Sequence, residues 1–454
     1  MNLRQNRNRM LKEFFVLLTA VALQQLLALT VNLVDNFMLG SYSEQAMSGA
    51  ALANQLQYML QMLTGGIGAG VSVLGSQYWG KQEINPIKEI ISLGLKFSVA
   101  AGVLFTVLTL LFPAQIIGLL TDDTQIIASS VEYLSVMSWT FVIYSVSSVL
   151  LFSLRSVQTA FIGMVMSGCT ILINGALNYV LIYGNFGAPE LGIRGAAYAT
   201  LTSRLVELAT ILIYILRVDR KLRLKVKDLL SFRKTYLRIY FQVSFPPMVT
   251  GMLWGVAQTA QTAILGHISA EAIAANSIAA VIFQLFTCFG FSCANAASVV
   301  IGKTVGRGEY DLIRPYSRTL QLVFAGFGAV TGSLIFLCRK WIVGLYAVTP
   351  ETRALSISFL TILSITVVGS CYEYPVESGI IAGGGDTKFA AYMDNGFMWL
   401  YTIPFAYLSA FVFEWSPVVT YAILKSDQIL KCLPNGLRCN RYKWLRDWTR
   451  QSGE

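Results

Sequence analysis

Charge and metal ligands are scarce in this sequence. Only 13% of its 454 residues are Asp, Glu, Lys or Arg, while 55% are hydrophobic and the mean hydropathy is +0.59. Soluble domains carry about twice that share of charge, so a soluble multidomain protein is excluded and a polytopic membrane protein is indicated. The single histidine, His267, excludes a His-rich metal site. Seven cysteines (Cys169, Cys288, Cys293, Cys338, Cys371, Cys432 and Cys439) show no CxxC spacing and fall mostly within apolar runs, so they read as reduced core or lipid-facing residues. There is no GxxxxGK[ST] motif, so the chain is not its own ATP motor. GGGDTK (Gly383 to Lys388) is too short for a phosphate loop and reads as a tight cytoplasmic turn. A membrane prenyltransferase needs spaced Asp-rich DxxxD clusters for Mg²⁺ and diphosphate, whereas Asp122 and Asp123 are adjacent; the residues point away from an enzyme and imply no cofactor. The net charge of +10 would suit nucleic acid in a soluble protein. Here the basic residues lie between apolar runs without an aromatic-interleaved groove pattern, and nucleic acid is not expected as a partner.

What is present is a succession of apolar runs long enough to span a bilayer, which takes about 20 residues each. Spans are expected near 14–39, 47–77, 91–112, 127–152, 160–184, 193–216, 239–266, 272–303, 317–338, 354–382, 389–413 and, more weakly, 415–430, where Lys425 and Asp427 interrupt the run. Arg4, Arg7, Arg9 and Lys12 lead straight into the first run, which is too long for the apolar part of a cleavable signal. One long polar stretch divides the chain. From Arg217 to Arg238 it holds nine Lys and Arg against two Asp; such a segment stays out of hydrocarbon, and beside an anionic cytoplasmic leaflet each basic residue adds about 1 kcal/mol of attraction. The positive-inside bias then puts this linker, the Lys81/Lys88 and Lys303–Arg318 connections and the tail from Lys431 on the cytoplasmic side with both termini.

The two halves resemble each other. Setting Gly40 against Gly266 gives an offset of 266 − 40 = 226, and the same register pairs Ser43 with Ser269, Ala46 with Ala272, Ala53 with Ala279, Ser72 with Ser298, Gly80 with Gly306 and Glu83 with Glu309. The expected organisation is an N-lobe (1–216, spans one to six), a basic cytoplasmic linker (217–238), a C-lobe (239–430, spans seven to twelve) and a basic cytoplasmic tail (431–454). Six spans per half return the chain to its starting side, so the repeats are expected to be parallel, related by an axis along the membrane normal, with a central cleft suited to alternating access.

Ionisable and amide groups inside spans are the functional candidates, since a charge at the bilayer centre costs at least about 2.5 kcal/mol and generally faces a cavity or a partner. Asp35, in TVNLVDNFMLG with Asn32 and Asn36 within a turn, can take a proton and release it to a rearranged site. Asn174 and Asn178 are four apart and share a helical face; they suit a ligand or interhelical hydrogen bonds equally. Glu373 and Glu377 are also one turn apart, with Pro375 between them to kink the helix and free a carbonyl, a pairing that suits a cation or proton site. Gln57, Gln61, Gln258 and Gln261 would line a polar cleft if they face inwards. Arg204 and Glu207, three apart, read as a mutually neutralising structural pair, and Asp394 as a near-interface residue.

At VDNFMLG, at the GDTK turn and along LNYVLIYGNFGAPELGIRGAAYATLTSR (Leu177 to Arg204) the sequence resembles the multidrug and toxic compound extrusion (MATE) family. The resemblance runs over nearly the whole chain, with its 6 + 6 layout, basic middle loop and basic tail. It implies an all-α MATE-like fold of about twelve transmembrane helices and a secondary antiporter in the cell (inner) membrane that exports cationic, amphipathic compounds for protons or sodium. The resemblance further implies that Asp35 is the first-helix carboxylate and that Tyr133, Asn174 and Thr200 are polar positions of an N-lobe cation site. Where many members have a further Asp, this chain has Asn178. The seventh helix carries only apolar residues, amides and Thr259 from Trp254 to Gln261, without the Glu of a sodium-linked branch. The pattern is thus nearest to the DinF-like branch, for which coupling to protons through Asp35 is the natural reading, with sodium as the alternative. A lipid-linked saccharide flippase of the same superfamily is the nearest rival, but intramembrane Arg and Lys are few. The expected partners are small organic cations and the bilayer, and the chain is expected to be monomeric.

Overall fold

An apolar run in a bilayer has no water for its backbone, so it forms helices that satisfy their own N–H and C=O groups. The computed structural model describes residues 3–231, 233–346 and 348–450, and among these every regular element is helical. In chain order they are α1 (Leu3–Tyr42), α2 (Glu44–Gly80), α3 (Ile84–Leu111), α4 (Pro113–Gly118), α5 (Thr124–Met137), α6 (Trp139–Ser156), α7 (Phe161–Leu181), α8 (Gly192–Ile213), α9 (Val226–Leu230), α10 (Leu237–Ile268), α11 (Ala270–Gly306), α12 (Tyr310–Gly344), α13 (Pro350–Tyr374), α14 (Thr387–Phe397), α15 (Ile403–Tyr407), α16 (Pro417–Leu430) and α17 (Cys432–Asn440). Nine helices among the described residues are long and apolar enough to cross a membrane. The helix from Leu237, with Pro246, Pro247 and its glutamines, is not one of them.

The offset of 226 recurs in the helix boundaries. Helices α1 and α10 end at 42 and 268, α2 and α11 span 44–80 and 270–306, and α3 and α12 begin at 84 and 310. Farther on, α5 and α13 begin at 124 and 350, and α7 and α14 at 161 and 387. The caps repeat as well. Ser43 accepts from the Ala46 amide and Ser269 from the Ala272 amide, both from extended backbone; Asp123 and Thr349 cap α5 and α13 in the same way. Each cap satisfies one of the unpaired amides of a first turn and contributes about 1 kcal/mol. Ala46 and Ala272, like Ala53 and Ala279, are buried in both copies.

The copies differ where backbone chemistry differs. The fourth span of the first half breaks at Ser138, whose carbonyl accepts from the Phe141 amide at 3.2 Å and from the Thr106 hydroxyl at 2.9 Å. Its counterpart runs on from α13 into a π-helical turn, Pro375–Ile381, opened by the proline that lacks an N–H. The eleventh span is interrupted by two further π turns, 398–402 and 408–412. The twelfth extends past the expected end at 430: after the single residue Lys431 the helix resumes as α17 and reaches Asn440.

Two compact units result, one from Thr19 to Met248 and one made of the residues up to Leu18 with those from Val249 on. The divisions fall inside α1 and α10 rather than at the linker, and the contacts within each unit give the reason. In the C-terminal unit the start of α1 is held by Glu13 on Lys303 at 2.8 Å and by Phe14 against Phe324. In the N-terminal unit the start of α10 donates Tyr240 Oη to the Ile67 carbonyl at 3.0 Å. Gly70 permits that approach, since a Cβ there would lie 1.7 Å from Ser244 Oγ. The basic linker is docked on this unit rather than loose. Lys88 Nζ reaches Asp228 Oδ2 at 2.8 Å and the Arg223 carbonyl at 3.0 Å, Arg233 pairs with Glu89 at 2.9 Å, and Leu222 is fully buried. The Lys88 ammonium holds the Asp228 carboxyl below its ordinary range. Phe232 lies outside the described residues.

Candidate functional site

Four helices, α1, α5, α7 and α8, bring the N-terminal unit's expected site residues together. Asp35 on α1 is 6% exposed, and Asn178 on α7 donates to its Oδ1 through a short hydrogen bond. The same Asn178 amide lies 3.3 Å from Asn174 Oδ1, and Asn174 Nδ2 donates to Thr200 Oγ1 on α8 at 3.3 Å. The four-residue spacing of the asparagines and their burial make this chain of amides, from carboxylate to hydroxyl, possible. Tyr133 on α5 is buried beside it. Among the described residues Asp35 has no salt bridge, and the hydrogen bond to its carboxylate comes from a neutral amide.

A cavity of about 30 Å³ opens on this group. Its walls include Asp35, Tyr133, Asn174 and Thr200, together with Asn32, Gln57 and Gln61. Asn178 is not on the wall; it holds Asp35 from behind. Such a space takes about two water molecules or an ion, whereas sites for drug-sized ligands occupy about 300–1,000 Å³. Gln57 Oε1 and Asn178 Oδ1 are buried without hydrogen-bond partners among the described residues, which leaves acceptors near the carboxylate for a donor or cation. Six wall residues were not expected from the sequence: Val31, Met137, Thr170 and Ser203, and two that bring strongly polar groups. Asn54 adds an amide, and Arg204 adds a guanidinium, which is paired with Glu207 at 2.7 Å and lies over the Tyr144 ring.

The remaining candidates lie in the C-terminal unit and do not join this cavity. Gln258 is half-buried on α10. Gln261 stands 226 residues after Asp35, and its amide oxygen accepts from Lys425 Nζ at 3.4 Å while Lys425 lies over the Phe283 ring. The second copy therefore has an amide and a lysine where the first has a carboxylate. Glu373 and Glu377 are buried on α13 and its π turn, where Glu373 pairs with Lys431 at 3.4 Å and Glu377 accepts from Asn435 at 2.6 Å. Both partners come from the segment read as a basic cytoplasmic tail. That segment is folded onto the GGGD turn: Asp386, 1% exposed, pairs with Arg438 at 2.6 Å and Arg446 at 3.2 Å, and Trp448 donates to the Gly385 carbonyl.

Long apolar helices repeated in register, with a buried carboxylate on an ion-sized cavity, define a multi-pass membrane transporter. The MatE family model matches residues 20–180 and again 246–408, two matches whose starts are 226 residues apart. The chain belongs to the MatE family. It is 24% identical to the uncharacterized transporter YisQ of Bacillus subtilis over 384 residues, 82% of each chain. It is 25% identical to the probable multidrug resistance protein NorM of Thermotoga maritima over 407 residues, 89% of this chain and 86% of the relative. Its fold matches the eukaryotic MATE transporter AtDTX14 with a TM-score of 0.87 at 17% identity, over 98% of both chains.

Proposed function

We propose that this transporter exports cationic or amphipathic organic compounds across the cell's inner membrane in exchange for protons, by alternating access, as a monomer with both termini cytoplasmic. Asp35 carries the exchanged proton. The observation supporting this is one buried carboxylate, held by an uncharged amide, on a cavity too small for the exported compound. A dehydrated sodium ion needs several oxygens and preferably more than one negative charge; a proton needs one carboxylate. Protonated, Asp35 is neutral and suited to its depth. Ionised, it is stabilised by the amides of Asn178 and, through it, Asn174 and Thr200, and it attracts the Arg204 guanidinium across the cavity. Exchange between these two arrangements is the step that couples ion to substrate. Asn32, Gln57 and Gln61 keep that cavity polar and hydrated, while Gln258, Gln261, Glu373 and Glu377 favour positive charge on the substrate.

The test is transport of an organic cation such as ethidium by purified protein in liposomes, with a pH gradient or a sodium gradient imposed separately. Export driven by the pH gradient at equal sodium supports the reading. Export driven by sodium alone at equal pH replaces the proton with sodium.

A further inference from the structure

Three carboxylates converge on one ammonium inside the C-terminal unit. Lys431 Nζ lies 2.7 Å from Asp394 Oδ1, 3.4 Å from Glu373 Oε1 and 3.5 Å from Asp427 Oδ2. The lysine is 4% exposed and sits at the one-residue break between α16 and α17; its partners come from α13, α14 and α16. A structural ion pair needs one acid. Here three acids meet one base; Glu373 and Asp427 are buried, Asp394 is half-buried, and Glu373 Oε2 is buried with no hydrogen-bond partner among the described residues. Buried charge left uncompensated is strongly unfavourable, so these carboxylates require a cation between them.

Other ionisable and polar groups also face the cluster. Glu377 adds a further acid, occupied by Asn435. Tyr374 and Cys432, neutral side chains, also face it. Lys425 makes its direct contacts with Gln261 and the rings of Phe283 and Tyr421, and its charge acts on Asp427 without an ion pair among the described residues. What remains is a ring of oxygens around one point, an arrangement that suits a monovalent cation, with an ammonium at its centre. With that ammonium between them the acids do not close on a shared ion, and among the described residues no acid group is arranged to hold a metal.

We propose that Lys431 is a tethered resident cation that fills an alkali-cation site formed by Glu373, Asp394 and Asp427 in the C-terminal unit, so that sodium is kept out of it. The consequence for coupling rests on the proton reading above, but occupancy of the site is independent of transport and is measured by binding alone.

The experiment compares purified wild type, Lys431→Met and Lys431→Arg in NaCl and in choline chloride, by melting temperature and by ²²Na⁺ binding. The account expects no sodium-specific change in wild type or Lys431→Arg. In Lys431→Met it expects saturable sodium binding and a sodium-dependent rise in melting temperature on the order of 3 °C. That rise should persist when Asp35→Asn is added and disappear when Asp427→Asn is added, which separates this site from the N-terminal cavity. Folded Lys431→Met without a sodium response overturns the proposal, as does wild-type protein whose sodium binding is removed by Asp427→Asn. If Lys431→Met is recovered in neither salt, the charge-matched Lys431→Met/Glu377→Gln protein is held to the same outcomes.

Discussion

Gly384 and Trp444 provide a test of whether the segment after Lys431 is part of the folded C-terminal unit. An alanine Cβ at 384 would lie 2.1 Å from Cζ3 and 2.3 Å from Cε3 of Trp444. Carbon atoms pack at about 3.5–4.0 Å, so the ring must retreat by about 1.5 Å. It has nowhere to go: Trp444 is fully buried, and its Nε1 donates to the Cys439 carbonyl at 2.7 Å. Gly384→Ala should therefore cost about 1–3 kcal/mol as overpacking. Trp444→Ala should cost about 3–5 kcal/mol through lost burial and the cavity left behind. In the double variant the methyl group enters the space the ring vacated, so its cost should fall below the sum of the singles by about 1–3 kcal/mol. Equilibrium unfolding in mixed detergent micelles measures all three, and trypsin cleavage after Arg446 reports release of the segment. Additivity within about 0.5 kcal/mol, with no gain in cleavage, would refute the packing argument.

Other expectations follow from the same contacts. Replacing both Glu373 and Glu377 with Gln should weaken export of organic cations more than of neutral compounds; equal transport of the two classes would count against it. Lys88→Met should expose the linker to trypsin at Arg223, Lys225 and Lys227, because it removes the partner of Asp228. Acid should release the linker only late. The Asp228 carboxyl is held below its ordinary value of 3.8, so the stabilisation it gives is complete above that value and is lost as pH falls through the lowered one. Hydrogen exchange of residues 219–231 should thus be flat from about pH 7 to pH 5, apart from its intrinsic pH dependence, and rise only below the ordinary carboxylate range. Asn178→Asp should raise the response of transport to sodium, measured in liposomes with a sodium gradient, since it adds the second negative charge that ion favours.

Much of the architecture could be read from residue patterns because the bilayer limits the choices. Apolar length marks the spans, and the offset of 226 seen in scattered pairs such as Ser43 and Ser269 recurs in caps and helix boundaries. The proline at 375 signals a break, although not the π-helical form the break takes, which depends on the carbonyls that packing leaves to be satisfied. Asp35, Asn174 and Asn178 were each visible as polar residues on apolar helices, but their grouping came from the family resemblance and not from the residues themselves. Arg204 was assigned to Glu207 alone, since spacing along one helix shows a pair but not the cavity beside it. Lys431 and Asn435 were hidden for a different reason. They lie in a run with Arg438, Arg441, Lys443 and Arg446, which matches a cytoplasmic tail, and composition does not distinguish a basic residue facing water from one facing three acids inside the fold. The division of α1 at Leu18 and of α10 at Met248 also left no mark in hydropathy, because one apolar helix can pack in two units without changing composition.

The central claim is that Asp35 carries the coupling proton, and Asp35→Asn in liposomes with only a pH gradient imposed tests it most directly. The substitution keeps the shape and the hydrogen bond to Asn178 but cannot change charge. The account predicts folded protein, monodisperse and of normal melting temperature, that no longer moves ethidium against its gradient while wild type does. Uphill export by Asp35→Asn under the pH gradient alone would contradict the claim and transfer the coupling role to Glu373 or Glu377.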